Sequence, residues 1–348
     1  MAGETFSTLS VALSQLYTAL IADQRNMDAI ELGIVPIVPN DSGKNIAWVA
    51  KFDGTKATTV FAEGSIVDRN TEFTKTKKVP AVLNFGNYRS PTQVSDLAAI
   101  LAASADGSPT ELRQLVDSEI RDSLTQITKQ VAIDFYTGTG TSGGNPNIVG
   151  LAGGAALSTG TYATIDRAVD TQWAANVLAN GGVDRPLTDD LLRQAEVAVF
   201  NAGGKTPNMI LTTGNVHRKY AGLMSPMLRI NGAGPAPAQL GMLGANDLFW
   251  GNMPVYRSSR APAKKLFMFN TSNVRLVFPR AFIPQASVPT NVFVQRMGLD
   301  LKQQYMLPII VSPLGNLGNT LEFNVYTYVQ LQVLDPNAVA TIADISET

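Results

Sequence analysis

The spacing of apolar residues is most regular between Ser108 and Gly140, where they recur every three or four positions. The series consists of Leu112, Val116, Ile120, Leu124, Ile127, Val131 and Phe135. Such spacing lays one continuous apolar stripe along a helix. Ser108, Pro109 and Glu111 form a helix start, with a capping hydroxyl and a proline at the first helical position. Gly138 and Gly140 are expected to end the helix, since glycine enters the left-handed closing conformation without strain.

At roughly 1.5 Å a residue, this predicted helix is about 40 Å long. Its opposite face carries charges of both signs. The charged residues are Glu111, Arg113, Asp117, Glu119, Arg121, Asp122, Lys129 and Asp134. A mixed face of this kind is typical of a solvated surface, and it also suits contact with another subunit. The sequence leaves both interpretations open.

Before this helix, the pattern indicates a terminal arm followed by short strands. Leu9, Leu13, Leu16 and Leu20 predict a helix within residues 1–32, and its narrow apolar stripe must lie on another surface. Residues 45–52 and 57–62 are predicted strands around the turn signal Asp53-Gly54. Because an isolated hairpin is marginally stable in water, we expect this one to pack against a partner. Nearby Lys75, Lys77 and Lys78 are interpreted as solvated protection of an edge strand.

The rest of the chain mixes helical and strand patterns. Strands are predicted at 79–85, 209–213, 254–257, 265–270, 274–278, 291–311 and 322–334. Helices are predicted at 95–103, 165–179, 189–201 with Thr188 as its cap, and 215–224. Glycine-rich or proline-rich composition predicts loops at 137–154 and 231–244. The alternation of helix and strand between residues 164 and 251 is typical of an α/β layer.

Composition excludes several classes of protein. The 348 residues carry a net charge of −1, so no basic field is available to hold nucleic acid tightly. Cysteine is absent, which removes disulfides, a thiolate nucleophile and zinc-thiolate sites, and His217 is the single histidine. No run approaches the roughly 18 apolar residues that a membrane-spanning helix needs, so we expect no membrane partner.

Two glycine motifs could be mistaken for phosphate-binding loops. Gly138, Gly140 and Gly143 match GxGxxG, but they follow a helix and lead into Asn145-Pro146, which leaves no helix N-terminus for a phosphate. The run 204–206 resembles the end of a phosphate loop, yet its first glycine would fall at Val199, inside a predicted helix. Asp189 and Asp190 are adjacent acidic residues, and we interpret them as capping residues in the first turn of a helix, where the helix dipole favours negative charge. The sequence therefore predicts no cofactor and no catalytic, cofactor-binding or metal-ligating residue.

The order of these parts resembles that of a tailed-bacteriophage major capsid protein with the Hong Kong 97-like fold. The resemblance spans nearly the whole chain and is carried by its organisation and by short stretches at 132–140 (AIDFYTGTG), 148–150 and 331–345 (LQVLDPNAVATIADI). It implies an α+β fold with an N-terminal arm (1–44), an extended β-hairpin or E-loop (45–78), a peripheral domain (79–150 and 285–348) and an axial α/β domain (151–284). The helix at 109–137 would be the spine of the peripheral domain.

This resemblance implies a structural protein of the virion and not an enzyme. Its copies would assemble in the host cytoplasm as hexamers and pentamers of an icosahedral head, which encloses double-stranded DNA without sequence-specific binding. Because the chain begins at Met1 with the arm, we expect a separate scaffolding protein; a portal and a decoration protein are further expected partners. We expect no covalent crosslink between subunits. The residues expected at the assembly interface are Trp48, Phe52, Asp53, Gly54, Phe61, Leu13 and Leu16.

Two other functions remain open at this point. An encapsulin, a bacterial compartment that encloses protein cargo, shares the fold that the resemblance implies. A soluble α/β enzyme with a site within residues 164–251 is the other alternative, and it would be a monomer or small oligomer with a concave pocket.

Overall fold

The computed structural model describes residues 29–40, 43–52, 77–95, 109–203, 205–231, 248–251, 253–279, 310–316 and 320–347. The arm helix up to residue 28, the turn at Asp53-Gly54 with the strand at 57–62, and the loop at 232–244 lie outside these residues. So do most of the predicted helix at 95–103 and most of the predicted strand at 291–311. Ser95 itself is the last residue of a strand.

The described chain contains four α-helices and seventeen strands. The helices are α1 Ile30–Ile34, α2 Pro109–Thr137, α3 Asp189–Gly203 and α4 Gly214–Asn231. The strands are β1 Ile37–Asn40, β2 Ile46–Lys51, β3 Lys78–Leu83, β4 Gly86–Ser95, β5 Thr139–Ser142, β6 Asn145–Val149, β7 Thr161–Tyr162, β8 Ile165–Asp166, β9 Asn176–Leu178, β10 Met209–Thr212, β11 Leu248–Trp250, β12 Met253–Arg257, β13 Leu266–Phe269, β14 Val274–Pro279, β15 Ile310–Asn316, β16 Thr320–Val333 and β17 Val339–Ile342. Three short turns are also helical, a π-helical turn at Leu151–Ala155 and 3-10 turns at Thr171–Trp173 and Pro336–Ala338.

The long helix is confirmed as α2, with the bounds that the apolar spacing predicts. Ile120, Leu124 and Phe135 in its stripe have no exposed surface. The reason for the glycine at its end differs from the prediction, because Gly138 is not in the left-handed region. A Cβ at Gly138 would lie 2.2 Å from the carbonyl oxygen of Ile148, so glycine is needed here for the close approach of β6.

The predicted loop at 137–154 is wrong, since this segment forms a β-hairpin. Strands β5 and β6 pair antiparallel, and the turn between them uses Gly143 at φ 57° and Gly144 at φ 81°. A two-residue turn in which both residues have positive φ has a backbone twist that matches the right-handed twist of the flanking strands, and glycine adopts this φ without strain. The strands contain small and polar residues, so the spacing of apolar positions gave no sign of them.

The predicted helix at 165–179 is also wrong. The segment consists of β8, the 3-10 turn at Thr171–Trp173 and β9. Asp166 Oδ1 accepts a hydrogen bond of 2.9 Å from the backbone N–H of Ala168, a local turn that competes with helix formation. Val169, which the helical spacing would place in the core, is 72% exposed.

Two sheets organise the chain. In the five-stranded sheet the order is β1-β14-β16-β15, and β4 also pairs with β16. In the six-stranded sheet the order is β11-β12-β10-β13-β17-β9. Ile210 and Met268 on one face of the six-stranded sheet pack with residues of α3 and α4, whereas Leu211 and Phe267 on the other face join the larger core that contains α2. The six-stranded sheet therefore separates two cores.

The predicted strands at 45–52, 79–85, 209–213, 254–257, 265–270, 274–278 and 322–334 and the helix at 189–201 agree with the structure to within a few residues, whereas β4 was not predicted. Thr188 caps α3 as predicted, because its hydroxyl accepts a hydrogen bond of 3.2 Å from the Leu191 N–H. Helix α4 runs to Asn231, beyond the predicted end at residue 224. The sheets cross the predicted domain boundaries, since β14 lies in the five-stranded sheet and β17 in the six-stranded one.

Candidate functional site

Strands β2 and β3 are the described part of the segment predicted to form the E-loop. Strands β2 and β3 form six antiparallel pairs, from Ile46 opposite Leu83 to Lys51 opposite Lys78. The Phe52 N–H then donates to the Lys77 carbonyl at 3.1 Å. Among the described residues the partner of β2 is thus β3, not the strand predicted at 57–62. We call the β2–β3 pair the ribbon.

Four aromatic residues fix the inner face of the ribbon to the core. The Trp173 ring is the centre, with ring centroids of Trp48, Phe52 and Tyr162 at 6.4, 6.0 and 6.2 Å. Its indole N–H donates to the Tyr162 carbonyl at 3.0 Å, and that of Trp48 donates to the Leu334 carbonyl at 3.2 Å. Buried aromatic contacts with satisfied indole groups combine large apolar area with fixed orientation. The ribbon is therefore fixed to the core by its inner face.

Arg167 lies behind this aromatic cluster as a buried cation. Its guanidinium donates to four carbonyl oxygens, those of Gly154, Ala155, Thr159 and Trp173, at 2.9 to 3.1 Å. The guanidinium carbon is 5.6 Å from the centroid of the Tyr162 ring. Burial lowers the pKa of Arg167 to about 10, so the side chain stays charged at neutral pH. One side chain thus ties together three backbone segments.

Lys77 closes the cluster on the outside. It forms an ion pair with Asp170, and its ammonium nitrogen is 5.7 Å from the Phe52 ring centroid. Lys77 is 42% exposed, as expected for a solvated lysine, and the sequence gave no sign of its pairing with Asp170. Lys75 lies outside the described residues.

Two of the seven residues predicted at the assembly interface lie among the described residues. Trp48 and Phe52 come together on Trp173, and Phe52 is only 6% exposed within its own chain. Leu13, Leu16, Asp53, Gly54 and Phe61 lie outside the described residues. The interface role of all seven stays a prediction. Sequence spacing gave no indication that Arg167, Asp170 and Tyr162 join the same cluster.

A second polar cluster joins the end of α2 to the strands beside it. The Tyr88 hydroxyl donates to the Asp134 carboxylate at 2.7 Å and accepts from the Ile148 N–H at 3.0 Å. The Asn147 and Gln130 amides also donate to Asp134. Burial raises the pKa of the Tyr88 hydroxyl, with the Asp134 carboxylate adding to the effect. The cluster holds β4 and β6 in register against the spine helix.

The C-terminal segment is held by two carboxylates. The Asp344 carboxylate accepts from the backbone N–H groups of Asn180 and Gly182 at 2.7 and 3.0 Å, and these bonds lower its pKa. The Glu347 carboxylate accepts from the Lys264 N–H and the Thr213 hydroxyl, each at 2.9 Å. The Lys264 bond is the main cause of its lowered pKa. We call these contacts the C-terminal clamp.

The groups that could carry chemistry are buried or paired within the chain. His217 is 4% exposed, and burial is the main cause of its lowered pKa. Lys205 of the phosphate-loop-like run forms an ion pair with Asp335. Within the described ranges, no group of three or more His, Cys, Asp or Glu residues could hold a metal ion. No helix of the described chain combines the length and apolarity needed to cross a membrane.

Comparison with known proteins gives one family match. The model of the family described as SU10 major capsid protein matches residues 54–297, which is more than half of the chain. No curated protein sequence matches significantly.

Solved structures with the same fold are shells. The chain superimposes on the capsid asymmetric unit of cyanophage A-1(L) with a TM-score of 0.75 and 18% identity, covering 94% of this chain and 96% of that one. For the holo-SrpI encapsulin complex from Synechococcus elongatus PCC 7942 the TM-score is 0.57 with 14% identity, covering 100% and 98% of the two chains. For the capsid of Myoviridae phage XM1 it is 0.55 with 12% identity, covering 94% and 100%. The fold predicted from the order of the elements is confirmed.

Proposed function

The chain belongs to the SU10 major capsid protein family and is a structural protein of the virion capsid with the Hong Kong 97-like fold, and we propose that its copies assemble as hexamers and pentamers into an icosahedral head around double-stranded DNA. The family match over residues 54–297 carries this proposal. The role is structural, and we infer that the chain performs no catalysis.

The ribbon supports a role in assembly. A two-stranded ribbon is marginally stable in water unless it packs against a larger surface. Here the aromatic cluster around Trp173 and the buried residues Ile46 and Leu83 fix the inner face of the ribbon to the core. In a closed shell, a neighbouring subunit supplies a surface for the opposite face.

The domain division remains part of the proposal. We infer a peripheral domain built on α2 and the five-stranded sheet, and an axial domain built on the six-stranded sheet, α3 and α4. Because β17 pairs with β13 and β9, we assign it to the axial domain. A scaffolding protein, a portal and a decoration protein are the proposed partners.

The nucleic acid content of purified particles tests the proposed cargo. Particles made in infected cells would be treated with nuclease, and the protected contents extracted. We expect double-stranded DNA of uniform length. Closed shells that hold only protein would contradict the proposal and favour an encapsulin.

A further inference from the structure

A pocket of about 610 Å³ opens beside the start of the ribbon. Its walls come from five parts of the chain: the residues before β2, the turn between β3 and β4 with the start of β4, the start of β6, the end of β14 and the middle of β16. The volume lies within the range of roughly 300–1,000 Å³ that is typical of ligand sites. The described lining residues belong neither to the aromatic cluster nor to the C-terminal clamp, so neither of those clusters accounts for the pocket.

The half-buried lining residues give the pocket an apolar part. They are Phe85, Pro146, Pro279 and Tyr328. The Tyr328 ring is oriented by an edge contact with the Tyr326 ring, whose centroid lies 5.9 Å away. Proline has a rigid ring and no N–H, so the two prolines add apolar surface and no backbone donor. An apolar side chain of a ligand would lose its contact with water here, which favours binding.

The exposed lining residues give the pocket a polar part. The side-chain amides of Asn45, Asn84 and Asn87 form no hydrogen bond with any residue that the structure describes. The Lys44 ammonium has no ion-pair partner among the same residues, and no carboxylate is among the described lining residues. An asparagine amide offers two donors and an acceptor oxygen, which complement the C=O and N–H groups of a peptide backbone. The uncompensated charge of Lys44 favours a ligand that carries a negative charge.

Buried side chains behind the pocket fix two of its walls. The Asn40 amide donates to the carbonyl oxygens of Gly43 and Asn45, at 2.9 and 3.3 Å. The Gln330 amide donates to the Asn84 carbonyl at 2.6 Å. Asn40 and Gln330 are 8% and 1% exposed. A ligand therefore meets walls that are already in place, which lowers the entropy cost of binding.

We propose that this pocket binds an extended peptide segment of a partner protein. An apolar side chain of the peptide packs against Phe85 and Tyr328, the peptide backbone bonds to the asparagine amides, and an adjacent carboxylate lies beside Lys44. The pocket is complete within one subunit, so peptide binding goes beyond the proposed function and does not require a closed shell. A nucleic acid strand is disfavoured, because a single lysine among the described lining residues would face several phosphates.

Synthetic tetrapeptides test the chemistry of the ligand. The probe is acetyl-Ala-Phe-Asp-Ala-amide; acetyl-Ala-Phe-Asn-Ala-amide lacks the charge, and acetyl-Ala-Ala-Asp-Ala-amide lacks the aromatic ring. Saturation-transfer NMR with the full-length protein measures each Kd at millimolar peptide concentrations. We expect the probe to bind about fivefold more tightly than either control peptide, because each control loses one of the two contacts. Equal binding of all three peptides, or no saturation transfer to the phenylalanine ring of the probe, overturns the inference.

The variant Lys44→Gln tests the location of the site. Lys129→Gln is the matched control, because Lys129 is exposed on α2 and does not line the pocket. Thermal melting first establishes that both variants fold. We expect Lys44→Gln to bind the aspartate and asparagine peptides equally, while the control keeps the wild-type preference for aspartate. The same preference in both variants overturns the inference.

Two further outcomes would assign the pocket to another occupant and also overturn the inference. Displacement of the probe by a single-stranded oligothymidylate would make nucleic acid the occupant. Binding of the probe by free subunits but not by closed shells would place a second copy of this chain in the pocket. Failure of the chain to form shells, by contrast, would contradict the proposed function and leave peptide binding as it is.

Discussion

Arg167 shows how one side chain determines the path of a segment that spacing misassigned. A helix would use backbone N–H groups to satisfy the carbonyls of this region. Here the Arg167 guanidinium donates hydrogen bonds to carbonyl oxygens of the π-helical turn, of Thr159 and of Trp173. These backbone acceptors therefore have donors without being part of a regular helix or sheet. The helical spacing of Ile165 and Val169 is therefore coincidental.

Arg167→Met should destabilise the chain strongly. The substitution keeps an apolar stem of similar length but removes the guanidinium donor from three buried carbonyl oxygens and from the partly buried carbonyl of Thr159. We expect the free energy of unfolding to fall by about 2–4 kcal/mol. Urea unfolding of the unassembled full-length protein measures this. Arg193→Met, at an exposed position on α3, serves as the control and should stay close to the wild type; an equal response of both variants would contradict the assigned role.

Gly153→Ala should be among the most damaging glycine substitutions in the described chain. A Cβ at Gly153 would lie 1.9 Å from the carbonyl oxygen of Gly138, and the backbone at the end of α2 cannot move without disturbing the helix. We expect a loss of at least about 3 kcal/mol in the free energy of unfolding.

Gly222→Ala provides the matched comparison for Gly153→Ala. Gly222 lies in α4, and nothing lies within 4 Å of the position of its Cβ. Alanine there should raise the free energy of unfolding by about 0.5–1 kcal/mol. The same denaturation measurement serves both variants, and equal effects would show that the close approach at Gly153 is not as described.

At the scale of elements, the sequence predicts a helix or strand correctly where that element has one continuous apolar face that packs on the core. Helix α2 has such a face, and its bounds follow from that spacing together with the proline at its start and the glycines after its end. Strands β5 and β6 have no apolar face, and the glycine-rich composition of this segment led to the prediction of a loop. The pattern in β2 shows that side chains alternate, but not which set points inward. That choice depends on Trp173, which is distant in sequence from Trp48.

The C-terminal clamp predicts a dependence of stability on pH. The pKa of Asp344 is lower in the folded chain than in the unfolded chain, because backbone N–H groups stabilise its carboxylate. Its contribution is therefore present above the ordinary carboxyl pKa of about 3.9 and is lost as pH falls through the lowered value.

Asp344→Asn isolates this contribution, because asparagine keeps the shape and tolerates the φ of 61° at this position. We expect the variant to melt below the wild type at neutral pH, and the difference to shrink as the pH falls below about 4. Melting curves across this range give the comparison. A difference in melting temperature that is the same at every pH would argue against a charge effect.

At the scale of the whole molecule, the long strand β16 connects the parts of the frame. Along its length it pairs with β4, β14 and β15, and its end leads through the turn at Pro336–Ala338 into β17 of the six-stranded sheet. One chain path therefore joins the two sheets, and the ribbon packs on the core between them by its inner face. The sequence predicted this organisation from the order of elements, while the placement of β14 and β17 needed the sheet pairing.

The most direct test of the central claim is electron microscopy of the purified full-length protein, together with its size-exclusion profile. We expect uniform closed shells built from hexamers and pentamers, and a species far larger than a monomer in solution. A chain that stays a stable monomer, even with a scaffolding protein supplied, would contradict the assignment as a shell-forming subunit.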